Sequence, residues 1–110
     1  FRKKDAIFAM TSHVIFNSID KNNTATHSKK IINIIRNKLN FKNVLISDDI
    51  SMKALRYSIK QNTIRSFDAG CNIVLHCNAK LSEMLEVAKN SPKLNSFLMK
   101  KTKEFYKLVS

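Results

Sequence analysis

The chain is short of acid, glycine and proline. It sets eight acidic residues against twenty basic ones and holds one glycine and one proline in 110 residues. With a single glycine, Gly70, the one place where a missing β-carbon is indispensable is marked in advance. Long apolar runs are missing too. None approaches the roughly 18 residues of a membrane helix, so no spanning segment and no membrane partner are expected. The two cysteines, Cys71 and Cys77, flank one apolar run. At about 3.3 Å per residue a straight strand holds them too far apart for a disulfide. Free thiols in a reducing compartment follow, and hence a cytoplasmic protein. No close group of His, Cys and Asp has ligand spacing, so neither a metal nor a cofactor is expected. Because the sequence opens on Phe1 rather than Met, it does not bear on export.

What is present is an ordinary apolar share of 44%, which excludes wholesale disorder. At this length one domain at most is expected, spanning residues 1–110, with a modest core. The net charge of +12 suggests a nucleic-acid or anionic-surface partner. A second reading is stronger. Sixteen of the twenty basic residues are lysine, spread along the chain in runs no longer than two. Phosphate binders favour arginine for bidentate contacts. Abundant Lys, Asn and Ile instead match an AT-rich coding bias, so a nucleic-acid partner is not expected.

Hydrophobic periodicity orders the chain. Ala6–Met10 reads as a strand, and 17–27 as a polar loop. Ser28 is a plausible N-cap for a helix carrying Ile31, Ile35 and Leu39 on one face, stopping near Leu39 with Asn40 left-handed. Val44-Leu45-Ile46 is short and β-branched, as in strands buried on both faces of a parallel sheet. It runs into Ser47 and two adjacent carboxylates, Asp48 and Asp49. Residues 51–55 suit a helical turn. Ile59–Ala69 has helical spacing, with Gly70 as its stop. Ile73-Val74-Leu75 makes a third strand, and Leu81, Met84, Leu85 and Ala88 mark another helix. Ser91 and Pro92 are expected to open the last helix, as N-cap and first helical residue.

Helices between short buried strands predict right-handed βαβ units and a parallel sheet, an α/β fold. Chemically capable groups follow each strand: Ser12 and His13, then Asp48 and Asp49, then His76 and Asn78. In α/β barrels and doubly wound sheets chemistry gathers at these strand ends. On its own Asp48 reads first as a solvated loop acid or a helix cap.

Five segments in register over residues 5–78 carry a sharper resemblance. Residues 5–13, running through Met10 to His13, resemble the sixth strand of bacterial family 3 glycoside hydrolases, specifically the β-N-acetylglucosaminidases that recycle cell-wall muropeptides. Residues 24–28 are similar to that family's P-A-T-L-S segment. Residues 35–41 resemble its L-R-x-x-L-G-F, residues 46–52 its I-S-D-D-L-S-M, and residues 69–78 its A-G-C-D-M-V-L-x-C-N. The chain departs from the pattern at Asn40 and Asn43, where the family has glycine, and at Asn72, where it has an acid.

The resemblance implies the last three βα units and a C-terminal helix of a TIM (β/α)8 barrel. It implies retaining double displacement with Asp48 as nucleophile and Asp49 in a capping and orienting role. It suggests that Met10 and His13 line the sugar site, although a histidine at a strand end is more often a hydrogen-bonded wall residue. The family's acid/base His–Asp pair and its sugar-contacting Lys-His and Arg lie before the matched region. The chain is therefore expected to carry the nucleophile but to be inactive alone. Its partners are expected to be an N-acetylglucosamine-containing saccharide and the missing N-terminal half. A basic binding module without catalysis is the rival from another class.

Overall fold

The computed structural model describes residues 6–110. Asp5, at the head of the first family-like segment, lies outside them. Three strands, β1 (Phe8–Met10), β2 (Val44–Asp49) and β3 (Ile73–Leu75), form one sheet in the order β1-β2-β3. Both pairings are parallel, with Phe8 opposite Val44 and Ile46 opposite Ile73. Between the strands run α1 (Lys29–Asn37) and α2 (Ile59–Ala69), and after them α3 (Leu81–Asn90) and α4 (Ser96–Val109). The alternation expected from sequence is the one observed.

One side of the sheet is sealed. Leu45 from β2 packs with Ile32 of α1, Ala69 of α2, Phe41 and Cys71, with Ala9 and Ile35 at the margin. Strand alternation turns the neighbours of Ala9 the other way, and there Phe8 is 39% and Met10 58% exposed. α4 reaches that side through an edge-to-face contact of Phe105 with Phe8 at 5.2 Å.

The helices start and stop for local reasons. Ser28 and Ser58 accept from the amides of Ile31 and Gln61, each satisfying an otherwise orphaned donor. Gly70 closes α2 at φ +121°, and a β-carbon there would sit 2.8 Å from Cγ2 of Ile32. Glycine is thus required twice, by conformation and by the approach of α1. Asn40 takes the left-handed turn at φ 56°. Asn43 keeps a negative φ, so only one of the two glycine-replacing asparagines is left-handed; the other spends its amide on the Ala6 carbonyl at 2.8 Å.

Besides the end of β2, which runs on to Asp49, four boundaries differ from expectation. β1 starts at Phe8 rather than Ala6. α1 ends at Asn37, and Leu39 already belongs to the turn, its amide returning to Ile34. Residues 51–55 form turns rather than a helical turn, closed by Met52 to Asp49 and Leu55 to Met52. The last helix opens at Ser96, not at Pro92. Ser91 closes α3 through its hydroxyl, which donates to the Val87 carbonyl at 2.6 Å, while Asn95 caps α4 by accepting from the Leu98 amide at 2.9 Å. Asparagine is as good a cap as serine, so the residue nearer the apolar face prevails.

Candidate functional site

The carboxylates sit inside β2, not after it, and the sheet is irregular where they lie. Ile46 pairs with Ile73 and Asp49 with Leu75, so β2 uses more residues than β3 between these pairs. The Leu75 amide donates to the Ser47 hydroxyl at 3.0 Å where a backbone carbonyl would be expected. Such bulges bend a strand and re-aim its side chains. Ser47 is fully buried and serves as the substitute acceptor; it and Asp48 together lie opposite the single residue Val74.

The two acids then diverge in environment. Asp49 is saturated: it accepts from the Ser51 amide at 3.0 Å, the Ser51 hydroxyl at 2.7 Å and, across the sheet, the Cys77 amide at 3.1 Å. Burial pushes its carboxyl up, but these bonds and the nearby His76 outweigh burial and hold it below its ordinary value. It therefore caps a turn and ties the end of β3 to β2. Asp48 is half-buried, and its carboxylate takes one bond, from the Asp49 amide at 2.8 Å. Its second oxygen is uncommitted among the described residues.

His13 is bound at both ends. Nε2 lies 2.8 Å from the Asp49 carbonyl and Nδ1 2.9 Å from the Thr26 hydroxyl. A carbonyl only accepts, so Nε2 carries a proton; the Thr26 hydroxyl donates its single hydrogen to the Ser12 carbonyl at 3.0 Å and stands against Nδ1. The Thr11 hydroxyl, 2.9 Å from that of Thr26, completes the chain. The loop after β1 is thereby tied to the backbone beside Asp48. Met10, opposite Ile46, stands exposed on the unsealed side of the sheet. His76 lies close enough to Asp49 to act on its charge, but its hydrogen bond, like that of the Asn78 amide, goes to Glu83 of α3, at 3.2 and 2.8 Å.

Sequence reasoning overlooked a cavity of about 400 Å3 on the same side of the molecule as His13, whose walls include His13, Thr24, His27 and Tyr57. Thr24, Ala25, Thr26 and His27 are all buried, the last three in a 3-10 turn, where a polar loop was expected. Asn62 of α2 pins the loop after β2 against it, donating to the carbonyls of Ile50 and Tyr57. Burial lowers the His27 imidazole to about 4, against an opposing contact with the Asn62 backbone; the charges of His13 and Arg65 push the same way as burial. The one available signal was His27 itself, a histidine where the resemblance has leucine. Among the described residues no group of three His, Cys, Asp or Glu side chains converges as a metal site. No helix among them is long and apolar enough to cross a membrane.

Parallel strands, a bulge at paired aspartates and a histidine bracing them are the setting in which comparison with known proteins becomes informative. The model of the glycosyl hydrolase family 3 N terminal domain matches residues 3–104. The chain belongs to glycosyl hydrolase family 3. A beta-hexosaminidase of Nitrosomonas eutropha is 42% identical over 71 residues, covering 63% of this chain and 20% of its own length. One from Photobacterium profundum is 30% identical over 108 residues, covering 91% of this chain and 32% of its own. The crystal structure of the beta-N-acetylglucosaminidase from Thermotoga maritima superposes with a TM-score of 0.67 at 28% identity, over 96% of this chain and 25% of that one. The chain thus spans about a fifth to a third of the curated relatives it matches.

Proposed function

We propose that this chain is the nucleophile-bearing part of a retaining β-N-acetylhexosaminidase barrel acting on N-acetylglucosamine-containing, muropeptide-type saccharides. The observation that carries the reading is the division of labour between adjacent carboxylates. Asp49 is consumed by bonds that hold two strand ends together, whereas Asp48 keeps an oxygen uncommitted at a bulge that re-aims it. A nucleophile must stay ionised yet uncovered, so that it attacks the anomeric carbon and is displaced by water in turn. Two neighbours on one strand do not flank a glycosidic bond from both sides, so the general acid is supplied from elsewhere. Without it the isolated chain loses about two to four orders of magnitude in rate. His13 acts in this scheme by fixing the Asp49 backbone rather than by touching the sugar, since both its ring nitrogens are engaged.

The test is a chimera in which residues 6–78 replace the matching segment of the Nitrosomonas relative. Hydrolysis of an aryl N-acetylglucosaminide is expected in the chimera, lost in Asp48→Asn and absent from this chain alone. Activity that survives Asp48→Asn, or that this chain shows by itself, overturns the reading.

A second reading, a split barrel, is favoured by the exposed apolar face. Phe8, Met10 and Ile73 are 39%, 58% and 37% exposed, and β1 and β3 each lack an outer neighbour among the described residues. Such edges and faces invite a complementary chain. Co-purification with a separately expressed upstream segment supports this; two chains that elute independently refute it.

A further inference from the structure

The cavity beside His13 has a chemistry of its own. It measures about 400 Å3, and its lining includes Lys21 and Arg56 but no Asp or Glu. Both cations are exposed, and neither is paired with a carboxylate among the described residues. A cavity with two unbalanced positive charges concentrates anions.

Deeper in the wall the demand changes. Thr24 Oγ1 and His27 Nε2 are buried without a hydrogen-bond partner, and His27 is only 8% exposed. A hydroxyl both donates and accepts, so it serves Nε2 in either tautomer of the neutral ring. A fully ionised carboxylate has no hydrogen to give and serves only one of the two tautomers. A second hydroxyl suits Thr24. Tyr57, 43% exposed, adds an aromatic wall, and the Arg65 guanidinium lies over its ring at 3.8 Å from the centroid. Acid outside, hydroxyls inside and an aromatic flank describe one class of ligand.

We propose that this cavity binds a small polyhydroxylated carboxylate, a sugar acid, with the carboxylate at Lys21 and Arg56 and a hydroxyl hydrogen-bonded to Nε2 of His27. The assignment stands on the cavity alone and does not require Asp48 to be a nucleophile. His13 connects the two places, because this wall residue also holds the Asp49 carbonyl.

The test is an NMR titration of the full 15N-labelled chain with glucuronate, glucose and inorganic phosphate at neutral pH and low salt. Saturable shifts at Thr24, His27 and Tyr57 are expected with glucuronate, and binding about tenfold or more weaker for the other two, one charged hydrogen bond being worth about that factor. Lys21→Gln with Arg56→Gln should weaken glucuronate by a similar factor. Lys100→Gln with Lys103→Gln, the same charge change on α4, should not. Thr24→Val and His27→Leu, checked for folding by circular dichroism, should each reduce the preference for glucuronate over phosphate. Glucose or phosphate binding as tightly as glucuronate overturns the proposal, as does equal loss in the distal pair or the absence of saturable shifts. The chimera's hydrolysis does not enter this readout, so the two readings fail separately.

Discussion

Replacing Asn72 by aspartate should stabilise the protein, and the reason lies in a half-buried arginine with no carboxylate partner among the described residues. Arg36 leaves α1 to donate to the carbonyls of Phe41 and Asn43 and to Asn72 Oδ1, the last at 2.7 Å. All three acceptors are neutral. Desolvation lowers the guanidinium from its ordinary value, against an opposing influence of Cys71. Asn72 Oδ1 also accepts the Leu45 amide at 2.9 Å, so a replacement must serve both donors. A carboxylate does, having two oxygens. Exchanging a neutral for a charge-assisted acceptor is worth about 1 kcal/mol after its own partial desolvation. In a domain of this size that is a rise of roughly 4 °C in melting temperature. The assay is urea denaturation of Asn72→Asp and wild type across pH. The folded-state pKa of the new carboxylate would lie below the unfolded value of about 3.9, so the gain is full above that value and disappears as pH falls through the folded pKa. In an Arg36→Met background the same substitution should destabilise. A loss at neutral pH, or a gain that persists in strong acid or without Arg36, refutes the argument.

The remaining expectations test other parts of the frame. Gly70→Ala should cost about 2–3 kcal/mol in urea denaturation, from the strained φ and from the 2.8 Å approach to Ile32 together; a cost below about 0.5 kcal/mol would show that α1 yields freely. His27 is held near 4 when folded and near 6.5 when unfolded, so the unfolded chain binds the extra proton between these values. Stability should therefore fall by up to about 3 kcal/mol as pH drops from 6.5 to 4, and His27→Leu should flatten that slope. Asp49→Ala should lose about 2 kcal/mol, since it strips acceptors from Ser51 and Cys77, whereas Asp48→Ala should change stability by less than about 0.5 kcal/mol. A maleimide should label exposed Cys77 quickly but reach Cys71 only on unfolding, since burial raises that thiol to about 11.

The strands and helices were legible because their signals are local. Apolar periodicity, serine before an apolar face and a lone glycine after one are read within a few residues, and Ser28, Asn40 and Gly70 do what their types allow. What escaped is non-local or a choice between equals. Ser91 with Pro92 and Asn95 with Ser96 are both sound helix starts, and the closure of α3 by Ser91 and the bond from the Leu98 amide to Asn95 decide between them. The bulge cannot be read from β2 alone, because it exists only against β3. The bonds from His13 and Cys77 to Asp49 span 36 and 28 residues and leave no trace in spacing.

Those same long bonds explain how a family motif tolerates drift around it. Three strand ends are joined at Asp49: β1 through His13 to its carbonyl, β3 through the Cys77 amide to its carboxylate, and β2 as its own strand. Three peptide groups and two side chains fix one residue, and fixing Asp49 fixes the peptide whose N–H holds the Asp48 carboxylate. Changes elsewhere, such as asparagine for glycine at Asn40 or for an acid at Asn72, alter turns and charges without loosening that junction. Orientation of Asp48 thus depends on its neighbour more than on its own contacts. For the nucleophile proposed here, which must remain ionised, aimed and uncovered, that is the arrangement electrostatics favours, because every hydrogen bond given to Asp49 is one not spent quenching Asp48.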